Sequence, residues 1–287
     1  MTALQEWETP ILDNAPSLCF ASRHFARALA IIALALTAGG CVFAPAESFT
    51  LQAEVPADFR VKVDAYYEPA TGETCEAPPR QRGEVAPNRK FFTSEYQSIA
   101  RTAEFQVPLT TRPGGCPLVL SSLRLNLDAK WGTRWSDIGG DFARLSFYDE
   151  LADDRPGFPA TGVQAFQGQC QWLFRTVGPK RNIRKILHCR AVDANGQMLK
   201  RMAGGVLQRD QLPGRTVRMV FNMANQEAPY FDLYWFKTPS GWKPCGGRWG
   251  RDIEELCLEP PQFKDFKMPD GRTCTVYPSC TEKGSQT

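Results

Sequence analysis

The sequence predicts an all-β protein: an antiparallel, immunoglobulin-like β-sandwich with a disulfide-stapled C-terminal extension. Three observations predict it. Short runs of alternating apolar and polar residues recur along the chain, each closed by Gly, Pro, Asn or Asp. No long stretch of 3.6-residue periodicity interrupts them. Ten cysteines punctuate the 287 residues, four of them crowded after residue 240 where alternation stops.

The first forty residues read as an address. Arg23-His24-Phe25-Ala26-Arg27 is a basic patch, followed by the apolar run Ala28–Ala38 and then Gly39-Gly40-Cys41. That order describes a secretory signal peptide, and the run falls well short of the ~20 residues a helix needs to cross a bilayer. Ala38-Gly39-Gly40-Cys41 resembles a bacterial lipobox, which implies that Cys41 is lipidated and becomes the mature N-terminus. Val42 stands where an Asp would retain such a protein in the inner membrane, so the resemblance implies a lipid anchor in the outer membrane, facing the periplasm. The expected organisation is therefore a lipoprotein signal peptide (1–40), a membrane tether (41–57), a β-sandwich domain (58–240) and a disulfide-rich extension packed on it (241–287).

Within the sandwich, residues 59–67 place Phe59, Val61, Val63, Ala65 and Tyr67 on one face, and Pro69-Ala70-Thr71-Gly72 ends the strand. Residues 76–90 read as an exposed loop and 90–102 as one short helix. Phe105, Val107 and Leu109 alternate, as do Leu123, Leu125 and Leu127, and then Ala143, Leu145 and Phe147. Residues 163–177 and 183–192 flank the turn Gly178-Pro179-Lys180-Arg181. If Val177 pairs with Asn182, the register sets Cys170 directly opposite Cys189, close enough for a disulfide. Asn195-Gly196 predicts a further hairpin that pairs Val192 with Leu199. Runs at 217–221 and 230–236 bring the total to about nine strands.

Setting aside Cys19 in the leader and Cys41 leaves an even set of cysteines, which in an exported chain reads as a disulfide framework. Besides Cys170–Cys189, proximity along the chain suggests Cys75–Cys116, Cys245–Cys257 and Cys274–Cys280. Zinc is the competing reading, but no C-x-x-C pair exists and the mature chain keeps a single histidine, His188. No metal and no cofactor are expected. The acidic stretch Asp149, Glu150, Asp153 and Asp154 lacks the spacing of a calcium loop and reads as a solvated turn.

The chain contains no G-x-S-x-G, P-loop, G-x-G-x-x-G or H-E-x-x-H motif, and His188 has no evident nucleophile to serve. No catalytic residue is assigned and no enzyme is expected. A net charge of +3, from 34 Lys and Arg against 31 Asp and Glu, also argues against a nucleic-acid partner.

Two features are candidates for binding another protein. Lys180, Arg181, Arg184 and Lys185 cluster at a hairpin tip, either as a basic projection that could meet an acidic protein surface or anionic lipid headgroups, or as a solvated turn. Residues 241–251 place Trp242, Arg248, Trp249 and Arg251 in a glycine-rich loop pinned by Cys245. Trp and Arg are enriched at interface hot spots, although both indoles would serve equally to plug the base of the sandwich. Trp131 and Trp135 offer a similar loop without a pin.

A lipobox chain whose early strand Tyr66-Tyr67-Glu68-Pro69 leads through Gly72 to Cys75 resembles the periplasmic immunity lipoproteins, in particular those paired with phospholipase effectors of type VI secretion. The resemblance implies a protein that binds a secreted antibacterial lipase and blocks its active site, held by its lipid where the lipase's substrate lies. The alternative is an envelope lipoprotein that binds glycan or a neighbouring envelope assembly.

Overall fold

A computed structural model describes residues 47–76, 78, 86–152, 156–246 and 256–281. The leader, Cys41, residues 42–46 of the expected tether, Asp153 and Asp154 lie outside the described residues. Strands dominate, and no α-helix occurs among the described residues.

In chain order the strands are β1 (Ser48–Val55), β2 (Phe59–Pro69), β3 (Arg89–Thr93), β4 (Arg101–Pro108), β5 (Thr110–Thr111), β6 (Leu118–Lys130), β7 (Ile138–Tyr148) and β8 (Val163–Val177). They continue with β9 (Asn182–Ala191), β10 (Gly204–Gln208), β11 (Thr216–Met223), β12 (Ala228–Pro229), β13 (Trp235–Thr238), β14 (Gly241–Pro244), β15 (Phe266–Lys267) and β16 (Thr273–Cys274). One sheet runs β16-β15-β9-β8-β11-β1-β4, with β12 beside β8; the second runs β10-β7-β6-β2-β3, with β5 on β6. The hairpin β13–β14 stands apart as a third.

The two large sheets face each other over one apolar core. Period-2 alternation sends Phe49, Leu51, Ala53 and Val55 of β1 inward, to meet Leu123, Leu125 and Leu127 of β6 and Leu145 and Phe147 of β7. The Phe49 and Phe147 rings lie 5.7 Å apart across the gap. Gly139 on β7 keeps the sheets close, because a Cβ there would lie 2.5 Å from the Trp172 ring and 2.9 Å from the Leu187 backbone nitrogen. Beside it, the Asp141 carboxylate accepts from the Cys189 backbone N–H at 2.7 Å and from Arg190 at 2.9 Å, satisfying part of the free edge of β9.

The sandwich is all-β as expected, but its sheets are mixed and not purely antiparallel. Parallel pairs join β1 to β11, β11 to β8, β12 to β8, β10 to β7 and β15 to β9. The cause is the route of the chain. After the antiparallel β8–β9 hairpin it crosses to the second sheet as β10, then returns as β11 along β8 in the same direction.

Three expectations need correction. Residues 48–55 are not tether: β1 lies between β11 and β4, its alternation concealed in the sequence by Pro45 and Pro56 on either side. Residues 90–102 form no helix. Lys90 to Thr93 pair with β2, and Phe92 packs 6.2 Å from Phe105, so burial of aromatic side chains against an existing sheet wins over helix formation. The Asn195-Gly196 turn pairs Val192 with Met198, one residue short of the expected Leu199, because the Asp193 carboxylate accepts from the N–H groups of Asn195 and Gln197 and tightens the loop.

The β8–β9 register sets Val177 opposite Asn182 and Cys170 opposite Cys189, whose Cα atoms are 3.9 Å apart and whose sulfurs are bonded. Cys75–Cys116, Cys245–Cys257 and Cys274–Cys280 are disulfides as well. Toward its tip the inward face of this hairpin bears Phe174 and Ile183, which a second core covers with Trp235, Phe266, Cys274, Tyr277 and Cys280. The residues after 240 are thus continuous with the sandwich: β15 and β16 extend its larger sheet, and a boundary at 240 falls inside the β13–β14 hairpin.

Candidate functional site

The loop joining β6 to β7 presents the most exposed large hydrophobic side chain of the described residues. Trp135 is 91% exposed, on a loop that is far from slack. Its anchor is Asp137, only 1% exposed, whose carboxylate accepts from Arg134 Nη2 at 2.7 Å, from Arg134 Nε at 3.0 Å and from the Arg134 backbone N–H at 3.2 Å. Backbone bonds close the loop on itself, with Trp131 N–H donating to the Asp137 carbonyl at 3.0 Å and Asp137 N–H to the Arg134 carbonyl at 2.9 Å. Gly132 is required where the chain passes the carboxylate, since a Cβ there would lie 2.4 Å from Asp137 Oδ2. The expectation of an unpinned loop is therefore wrong: an ion pair between the buried Asp137 carboxylate and the half-exposed Arg134 does the pinning.

Burial alone pushes the Asp137 carboxyl up. The hydrogen bonds from Arg134, with the charges of Arg134 and Arg184, outweigh it and hold the group below the usual carboxylate range. The same balance brings Arg184, from the basic run of β9, within electrostatic reach of the loop.

That basic run does not act as a single projection. Lys185 pairs with Glu227, and Arg181 Nε donates to the Asp265 carbonyl at 3.2 Å while its own carbonyl accepts from Lys267 N–H at 3.0 Å. The C-terminal segment thus grips the hairpin tip, leaving Lys180 exposed at the turn. Glu227 also accepts from the Tyr277 hydroxyl. Burial, then the hydrogen bond to Glu227 and its charge, push the Tyr277 phenol far up, so it stays a neutral donor.

Of the glycine-rich loop, Trp242 is half-buried on β14, 6.2 Å from Phe174 and with Lys237 Nζ 5.5 Å from its ring centre. It packs against the second core and keeps part of its surface exposed. Arg248, Trp249 and Arg251 lie outside the described residues. Cys245 is buried and bonded to Cys257.

Sequence reasoning missed an apolar patch on this end of the molecule. Residues 230–236, expected as a strand, instead make a 3-10 turn over Asp232–Tyr234 and only then enter β13. The turn leaves Leu233 71% exposed, next to the partly exposed rings of Tyr230 and Phe231, which meet edge-on at 4.6 Å. The missed signal was the unbroken run Tyr230-Phe231-Asp232-Leu233-Tyr234-Trp235-Phe236, which cannot send its large side chains alternately in and out. Asp149, in the expected acidic turn, pairs with Arg209 and accepts from the Thr71 hydroxyl at 2.6 Å. His188 lies opposite Gln171; burial and the charge of Arg190 lower its pKa, keeping the ring neutral at ordinary pH.

No family model, no curated protein and no solved structure matches this chain. The geometry above defines an all-β, disulfide-bonded protein that presents a fixed tryptophan loop.

Proposed function

We propose that the chain is a membrane-anchored periplasmic immunity protein, which docks on a secreted antibacterial lipase and blocks its active site. The observation that carries the reading is Trp135. A bare indole on a loop fixed by hydrogen bonds from Arg134 to the buried Asp137 carboxylate offers large contact area at little cost in conformational entropy, the property of an interface anchor. The disulfides suit an oxidising compartment, and Ala38-Gly39-Gly40-Cys41 suits lipid attachment at the membrane the lipase attacks.

The test is to co-express the protein with the product of the adjacent reading frame. One-to-one co-purification and rescue from that product's toxicity are expected. Trp135→Ala should weaken the complex by roughly 30-fold or more, the effect of a hot-spot residue, while its thermal midpoint stays at the wild-type value. Undiminished rescue by Trp135→Ala would remove the loop from the interface. Glycan binding without a protein partner would favour an envelope lipoprotein instead.

A further inference from the structure

The outer face of the second sheet carries an arrangement that docking through Trp135 leaves unused. The β6–β7 register sets Arg124 directly opposite Arg144, and like charges opposed across a ladder repel. Neither guanidinium makes an ion pair among the described residues. Asp64, across from Arg124 on the other side, is occupied: Arg89 lies 3.5 Å from it, and Asn126 Nδ2 donates to it at 3.2 Å. Arg124 instead stacks on Phe142, its Cζ 3.9 Å from the ring centre, which fixes the plane of its donors.

The two arginines share an open concavity of about 330 Å³ with Tyr66, Ser122, Phe142 and Met202. The Tyr66 hydroxyl already accepts from Arg89 at 2.8 Å, which leaves its own proton to donate. Ser122, 9% exposed, brings a second hydroxyl to the floor, while Phe142 and Met202, the latter 39% exposed, supply apolar wall.

We propose that this concavity binds a phosphate ester. The dianionic phosphate lies between Arg124 and Arg144, takes hydrogen bonds from the Tyr66 and Ser122 hydroxyls, and runs its apolar arm along Phe142 and Met202. A phosphate fits better than a carboxylate because its second charge answers the second guanidinium, and its extra oxygens match the extra donors. The site stands apart from the lipase reading, sharing with it neither residues nor test. Its ligand has two possible sources, a soluble phosphate monoester or the phosphomonoester headgroup of a lipid.

The test titrates the full chain with butyl phosphate, and separately with phosphatidylcholine vesicles with and without phosphatidic acid. Saturable binding of butyl phosphate is expected, with tightening on vesicles that contain phosphatidic acid if the source is a lipid. Arg124→Gln and Arg144→Gln should each weaken binding about 10-fold or more, the worth of a charge-assisted bond, while Lys237→Gln, on β13 beside Trp242, changes nothing. A second readout guards against misfolding: without phosphate, Arg144→Gln should leave the thermal midpoint unchanged or raised, since it removes a repulsion. With butyl phosphate the wild type should overtake it. Absence of saturable binding in both arms, or binding untouched by the double Arg124→Gln/Arg144→Gln change, would overturn the site.

Discussion

The sandwich and the C-terminal cap bury their apolar groups by different means. In the sandwich, alternation does the sorting: β1 and β2, and β6 on either side of one register shift near Ser121, send every second residue into one core, and the ladders hold them there. In the cap the strands are short, two residues each in β15 and β16, and too brief to sort anything. Order there comes from rings and cross-links. Phe174 meets Tyr277 at 4.2 Å and Trp235 edge-on at 4.8 Å, and Cys245–Cys257 and Cys274–Cys280 close the segments. The contrast teaches that one hairpin serves two cores: β8 carries Cys170 and Trp172 into the sandwich and Phe174 into the cap, on a single face.

That contrast can be broken at its joint. Phe174→Ala empties the centre of the cap's ring cluster and should cost about 3–5 kcal/mol, measured by denaturant unfolding. If the two cores melt as one unit, the whole transition shifts. If they are separable, the near-ultraviolet signal of the cap aromatics is lost first while the far-ultraviolet strand signal persists.

Glu227→Gln sharpens the same comparison at lower cost. It removes the charge that Lys185 pairs with and weakens the acceptor of Tyr277, so a loss of about 1–3 kcal/mol is expected. Amide exchange should rise around Lys185 and Tyr277 and stay unchanged in β2 and β6.

The smallest effect concerns Asp137. Its folded pKa is depressed, so its stabilising contribution is fully present above the ordinary carboxylate range and fades as pH falls through the depressed folded value. The Trp135 loop should accordingly stay ordered through neutral and mildly acidic pH and loosen only below the range where free carboxylates titrate. Asp137→Asn should loosen it at neutral pH, by about 1 kcal/mol, and remove the pH dependence, as read from backbone relaxation at residues 131–137.

The same contrast explains how far the sequence could be read. Alternation at residues 59–67 and 123–127 marks buried strands directly, and a turn at residues 178–181 suffices to bring Cys170 against Cys189. The cap is opaque because Phe174 and Tyr277 belong to segments far apart in the chain, and no local pattern joins them. For the site, both indoles of the β6–β7 loop stand out in the sequence. The pin does not, because nothing local shows that Asp137 is buried and Arg134 folds back onto it. The Arg124–Arg144 pair is hidden in the same way, since it exists only once the register of β6 on β7 is fixed.

The placement of β1 bears on how the molecule carries load. It is the first strand of the described chain, and ladders flank it on both sides, antiparallel to β4 and parallel to β11. Tension applied ahead of Ser48 pulls along the axis of β1, across the direction of its backbone bonds. Those bonds must then give way together in shear, so a tug at this end meets the stiffest direction the sheet offers.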